Sequence, residues 1–341
     1  MNWNALLFKN KRILITGGTG SLGQALTKKL LELDVTTIRI LSRNESKQVD
    51  MDEEFSDDRL RFLIGDIRDK ERLIKSLEDI DIIFHAAALK HVPVIEYNPF
   101  EAIKTNVIGS QNVIDACLHA DVERAIAIGT DKAVSPLNTY GATKLLMEKL
   151  FVTANNYINP LKHRTKFITF RYGNVFGSSG SVVPIFVEQI KEKQKITITD
   201  PQMTRFSITM DEALNFILDA TISGKGSEIF VPKMRSYNIM DVVESLQNIM
   251  GDYGQEIIGI RPGEKLHEVL INEDEIRQTW SFNDMYIVTN PMYTKFHGIN
   301  MEENYAGITK PTNLDNYSSS FSERISKDEL EIMIKNSGLI N

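Results

Sequence analysis

The sequence predicts an α/β chain of the Rossmann type: a doubly wound parallel sheet with a smaller, discontinuous C-terminal substrate domain. Three observations carry this. Short Ile/Val/Leu runs alternate with longer stretches of helical period through the first half of the 341 residues. A glycine loop, Thr16-Gly17-Gly18-Thr19-Gly20-Ser21-Leu22-Gly23, directly follows the first of those runs. After Gly173 the alternation loosens, and Pro184, Pro201, Pro232 and Pro262 punctuate shorter elements.

Arg12-Ile13-Leu14-Ile15 reads as the first strand and Ser21 to Leu33 as the first helix. Thr37 to Leu41, Leu60 to Ile64, Asp81 to Phe84 and Ala125 to Ile128 continue the strands, and Phe167 to Phe170 follows a long helix starting near Thr139. Nearly continuous apolar strands suit a sheet covered on both faces. The acidic run Asp50-Met51-Asp52-Glu53-Glu54 reads as a solvated loop. Asn106 to His119 has helical spacing and carries the single cysteine, Cys117, read as a core residue. Asp211 to Ser223 reads as an amphipathic helix and Glu228 to Val231 as a strand, both expected to return to the sheet. The expected division is therefore 1–174 plus about 207–235 for a dinucleotide-binding unit, and about 175–206 plus 236–341 for the second unit. The tail from Asn290 reads as polar and irregular until a helical stretch, Lys327 to Asn336.

A net charge of −7 argues against a nucleic-acid binder, since no basic surplus offsets phosphate repulsion. One cysteine permits no intrachain disulfide, and the six histidines show no ligand spacing, so no metal is expected. Met1 to Lys9 lacks a signal-peptide layout and no apolar run reaches bilayer length. A soluble, cytoplasmic protein without membrane insertion is expected.

Gly17, Thr19, Gly20, Ser21, Leu22 and Gly23 lie between a strand and a helix, where glycines allow a tight turn and backbone N–H groups reach a pyrophosphate. The second strand ends in Ser42-Arg43-Asn44-Glu45-Ser46-Lys47. An acid binding the ribose of NAD would be usual there. Here Arg43 can bond a 2′-phosphate, with Ser42 and Lys47 adding contacts, and Glu45 comes slightly late, so NADP is favoured over the reading of Arg43 and Lys47 as surface charges. Asp66 and Ile67, after the third strand, suit an adenine contact or an ordinary helix cap. Ala86-Ala87-Ala88 offers small side chains where a dinucleotide passes, or simple packing. Lys90 and Asn106 could serve the site or be surface and capping residues.

Tyr140 and Lys144 are four apart and share a helix face. A lysine cation beside a tyrosine favours phenolate, so the pair can take a hydroxyl proton while hydride leaves for a nicotinamide. Thr130-Asp131-Lys132 follows the fifth strand and adds a second acid and base that a plain dehydrogenase does not need. A lysine base must be neutral, and Lys144 with the oxidised nicotinamide is expected to depress the pKa of Lys132. Asp131 is expected to stay protonated, and the two titrate jointly. Thr130 is expected to bond the reacting substrate or cap a turn.

With Arg171-Tyr172-Gly173-Asn174-Val175, Thr199 to Phe206 and Arg261-Pro262-Gly263-Glu264-Lys265, these motifs cover about residues 10 to 270. Together they resemble extended short-chain dehydrogenases/reductases. More closely, they resemble the soluble, inverting UDP-N-acetylglucosamine 4,6-dehydratases that start pseudaminic acid synthesis. Membrane-anchored relatives often carry methionine where Tyr140 stands. The resemblance implies Lys132 as base at C5 and Asp131 as acid at C6. It also implies UDP-sugar contacts from Lys90, Asn174, Thr199, Met203, Arg205, Arg261 and Glu264, Val175 near the nicotinamide, and a homo-oligomer such as a hexamer. A UDP-sugar 4-epimerase shares the fold and the Tyr/Lys pair, but does not need Asp131-Lys132. A non-catalytic NADP-binding regulator would typically have lost the tyrosine.

Overall fold

The computed structural model describes residues 3–159, 161–178 and 181–340; Met1, Asn2 and Asn341, which the readings above include, lie outside the described residues. Its strands are β1 (Arg12–Thr16), β2 (Thr37–Ser42), β3 (Leu60–Ile64), β4 (Ile82–His85), β5 (Arg124–Ile128), β6 (Lys166–Phe170), β7 (Asn174–Val175) and β8 (Ile196–Ile198). They continue as β9 (Thr204–Ile208), β10 (Glu228–Pro232), β11 (Arg235–Asn238), β12 (Gln255–Ile257), β13 (Val269–Ile271), β14 (Thr279–Phe282), β15 (Met285–Thr289) and β16 (Tyr317–Ser318).

The main sheet runs β14-β15-β10-β6-β5-β4-β1-β2-β3. Strands β1 to β6 and β10 pair in parallel, and β15 returns antiparallel to β10. The order reverses between β1 and β4, which opens a crevice at their C-terminal ends. Thr16 and His85 are register partners there, with Thr16 Oγ1 2.8 Å from His85 Nδ1 and Ser110 Oγ 3.0 Å from Nε2. Burial, with Lys144 adding, pushes the imidazole of His85 down to about 3, so it stays neutral and serves as a fixed spacer.

One apolar layer packs helices Ser21–Leu31 and Met210–Ser223 on the sheet, and the other packs Lys70–Leu77, Gly109–His119 and Thr139–Tyr157. A separate cluster joins Val182–Lys191, Ile239–Met250 and Lys327–Asn336 over β8. Cys117 is buried in the second layer and burial pushes its thiol up, as for an inert core residue.

Three expectations need correction. The acidic run is not a loop: it belongs to the helix Glu45–Phe55, capped by Asn44, with Gln48 and Met51 buried and the acids on the wet side. Helical spacing on the inner side outweighs the charge run. Residues 279–289 are not in the second unit; β14 and β15 extend the main sheet, and Met301, Tyr305 and Ile308 join its core. Nor is the tail irregular: short helices Pro291–Phe296 and Met301–Asn304 and strand β16 fold back on the body.

Arg171, fully buried just after β6, ties together segments distant in sequence. It donates to Glu148 on the helix Thr139–Tyr157 (2.7 Å at the shortest), to Glu275 (2.9 Å) and to Leu270 O (2.8 Å). Burial opposes its charge, but the two carboxylates outweigh this and hold the guanidinium well above its usual range. Arg171→Ala, which strands the buried Glu148 and the half-buried Glu275, is expected to cost about 3–5 kcal/mol. A urea midpoint near the parent's at unchanged slope would contradict this.

Candidate active site

The chain leaves β5 through Gly129 and Thr130 into a single 3₁₀ turn, Asp131–Ala133. Thr130 caps it: Oγ1 accepts the Lys132 N–H (3.4 Å) and donates to Asp131 Oδ1 (2.9 Å). Asp131 is 1% exposed and its N–H donates to Tyr172 O (3.0 Å). Lys132 Nζ lies 3.1 Å from Asp131 Oδ1 and 3.4 Å from Glu268 Oε1. The lysine amine is therefore held between two carboxylates, on a side chain that is still partly exposed.

The helix Thr139–Tyr157 brings Tyr140 and Lys144 alongside. Asn138 caps it, accepting the Gly141 N–H (2.8 Å) and donating to Gly263 O (2.9 Å), which ties the Arg261–Lys265 loop to the site. Gly141 lets helix and turn touch: a Cβ there would sit 2.2 Å from Lys132 O. Asn106 lies in a π-helical stretch, Ile103–Ile108. Its amide clasps Leu89 through both backbone groups (2.8 and 3.0 Å) and donates to Thr143 Oγ1 (3.0 Å). That pins the segment after β4 to the Tyr140 helix, a common use of a π-bulge.

The electrostatics differ from expectation. Lys132 is not depressed by Lys144: burial lowers it, but Asp131 and Glu268 outweigh burial and hold the ammonium above its usual range. The partner the sequence reading lacked is Glu268, so the Asp131–Lys132 couple is an ion pair. Tyr140 is pushed up to about 12 by burial; Lys132 and a hydrogen bond with Thr130 oppose this without prevailing. Lys144 is pulled down to about 8 by burial against the attraction of Glu148, and its Nζ donates to Ile128 O (2.5 Å) and Met147 Sδ (3.1 Å).

The glycine loop fits a dinucleotide. Gly17 has φ +69°, and a Cβ there would lie 2.8 Å from Ala87 N and Cα, so the ends of β1 and β4 close together only with glycine. Gly20 caps Ser21–Leu31 without a side-chain bond, leaving the N-terminal N–H groups of Ser21, Leu22 and Gly23 for an anion. Thr19, Ile67 and Val175 are buried, and Ala86 is half-buried. Ser42 Oγ accepts from Gln48 (3.0 Å). Arg43 is exposed at the crevice edge, 3.7 Å from Asp66, while Lys47 and Lys90 are exposed. Asp66 is already engaged by Arg68 (2.6 Å). Burial pushes the Asp66 carboxyl up, but Arg68 and Arg43 prevail and hold it below its usual range.

Asn174 starts β7 and Thr199 is half-buried near the end of β8. Arg205 is not a free fork: it donates to Thr204 O (2.7 Å), Leu266 O (3.1 Å) and Met203 Sδ (2.8 Å), with Nε 3.9 Å from Glu268. Arg261 and Glu264 face each other at 3.9 Å, and Glu264 Oε2 is buried without a partner. Sequence reasoning missed Glu268, three residues past the Arg261–Lys265 motif, and Ser319, which no spacing marks. Among the described residues no acid, histidine or cysteine cluster could hold a metal, and no helix is long and apolar enough to cross a membrane.

Residues 13–290 match the family model described as polysaccharide biosynthesis protein. An inverting UDP-N-acetylglucosamine 4,6-dehydratase of Campylobacter jejuni is 49% identical over 285 residues, 83% of this chain and 84% of that protein. A UDP-glucose 4-epimerase of Rickettsia canadensis is 38% identical over 338 residues, 96% of each chain. The X-ray structure of Pen from Bacillus thuringiensis matches with a TM-score of 0.88 at 40% identity, over 97% of this chain and 99% of that one.

Gly141→Ala must push the Asp131–Ala133 turn away from the helix. The expected cost is about 1–3 kcal/mol of stability, read as a lowered thermal midpoint; an unchanged midpoint would mean that the turn yields freely.

Proposed function

The chain belongs to the polysaccharide biosynthesis protein family, and we propose that it is an NADP-dependent UDP-N-acetylglucosamine 4,6-dehydratase. The observation that carries this is the Asp131–Lys132 couple, 3.1 Å apart on the turn after β5 and beside Tyr140. Proton chemistry at two further carbons needs such a couple. NADP is favoured because β2 ends in Ser42-Arg43 with no acid in the ribose position. Inversion at C5, a role in pseudaminic acid synthesis and a cytoplasmic homo-oligomer complete the reading.

The glycine loop, Ser42 and Arg43 would hold the dinucleotide, which when bound would supply hydride exchange between C4 and C6 without net consumption. The protein moves the protons, and the count closes once the resting ion pair has released the ammonium proton to solvent, leaving a neutral Lys132, an ionised Asp131 and a protonated Tyr140. Tyr140 takes the C4 hydroxyl proton as its own passes through Thr130 Oγ1 to Asp131. A C4 ketone acidifies C5, and Lys132 takes the C5 proton. Asp131 gives its proton to the C6 hydroxyl, which departs as water. A solvent-derived proton then adds to C5 on the face opposite Lys132, which inverts that carbon, and Lys132 releases its own proton to solvent, so the starting state is restored. Asn174, Arg205, Arg261 and Glu264, with Lys90, Thr199 and Met203, are the proposed UDP-sugar contacts; arginine forks suit a diphosphate.

The second reading is a UDP-sugar 4-epimerase, favoured by the full-length match to the Rickettsia protein of that name. Incubation with UDP-N-acetylglucosamine and NADP decides: a product lighter by one water is expected, and an unchanged mass with an altered C4 configuration would replace the dehydratase reading. Lys132→Ala is expected to abolish deuterium incorporation at C5 in heavy water; unaltered incorporation would remove Lys132 from the base role.

A further inference from the structure

We propose that Glu268 is a positioning residue for Lys132, a third member of the acid–base group that holds the amine over C5 and stabilises the ammonium formed when the C5 proton is taken. The inference rests on the dehydratase reading above.

Glu268 is 3% exposed. Its Oε1 is 3.4 Å from Lys132 Nζ and 3.9 Å from Arg205 Nε, and its Oε2 is buried without a hydrogen-bond partner. Asp131 Oδ2 is buried and unpartnered as well. The Lys132 side chain is 29% exposed, so an anchor on its own turn alone would leave the amine free to swing. Glu268 supplies a second anchor from the opposite side, just before β13.

That anchor is stiff. The Glu268 N–H donates to Ser319 Oγ (2.9 Å), and its carbonyl accepts from Ser319 N (2.8 Å) and Ser318 Oγ (3.3 Å). Ser319 Oγ is 2.7 Å from Thr204 Oγ1, which lies 2.8 Å from His267 Nδ1. The tail beyond Asn290 thus braces the carboxylate that braces the base.

The charge sequence explains why a second carboxylate helps. Lys132 turns from neutral to cationic as the C5–H bond breaks, and at that moment Asp131 turns from acid to carboxylate. Glu268, a second carboxylate beside the amine, takes no part in these transfers and lowers the energy of the new cation. The other groups facing Lys132 are Asp131 on its own turn, Tyr140 on the long helix, Arg205 and Tyr237 on β9 and β11, and Lys265 on the loop before β13. Of these only Asp131 is an acid of carboxylate strength.

Glu268→Gln keeps the shape and removes the charge. The high-pH plateau of water loss is expected to fall about 10-fold or more, with C5 deuterium uptake falling in step. The rising limb of the pH profile is expected to move about one unit toward acid, because an ammonium with one carboxylate partner fewer releases its proton sooner. Reduced-nicotinamide absorbance on mixing with substrate should persist, since C4 oxidation does not use Lys132. Glu268→Asp should recover part of the plateau. A variant with parental plateau and pH limb overturns the inference, as does loss of C4 oxidation together with C5 exchange, which would mark a merely structural role. If the parent protein itself releases no water, the dehydratase reading fails instead. A ¹⁵N-lysine titration without substrate still tests Glu268: the Lys132 resonance should titrate about one unit lower in the Gln variant, and an unmoved resonance overturns the inference.

Discussion

The buried Arg171 is the constraint on which the rest of the site depends. Its two carboxylate partners come from distant segments: Glu148 lies two turns beyond Tyr140 on the same helix, and Glu275 belongs to the capping box of the short helix that follows β13. The next residue, Tyr172, receives the Asp131 N–H through its carbonyl. One side chain therefore sets the spacing between the Tyr140 helix, the Asp131–Lys132 turn and the segment bearing Glu268. A buried arginine with paired carboxylates is a costly way to gain stability. It is a good way to fix a distance, because five N–H groups in a rigid fork tolerate little displacement.

Inside that frame burial and charge pull in opposite directions. Tyr140 and Lys144 are governed by burial, which favours their neutral forms. Lys132 escapes this because two carboxylates converge on it. Neighbouring groups on one short stretch of chain thus hold different proton affinities.

Much of this was legible in the sequence, because the signals were local. The strands β1 to β6, the glycine loop, the Tyr140/Lys144 spacing and the Asp131–Lys132 pair are all read within a few residues of chain. Residues joined only by long-range folding were not legible. Glu268 gains its meaning from Lys132, far upstream, and Ser319 gains its own from Glu268. The charge state expected for Lys132 failed for the same reason, since its second carboxylate comes from a distant segment. Strands β14 and β15 look like any short apolar runs, and only the pairing of β15 with β10 places them in the main sheet. In Glu45–Phe55 a conspicuous row of acids concealed the quieter spacing of Gln48 and Met51.

The bracing of Glu268 by Ser318 and Ser319 bears on how the protein is made. A ribosome delivers all six strands from β1 to β6 long before either serine leaves the exit tunnel. A nascent chain, or one cut short by a premature stop, would thus present a nearly finished nucleotide fold with its amine unmoored. On the dehydratase reading proposed above, competence for proton abstraction would arrive as one of the last events of translation.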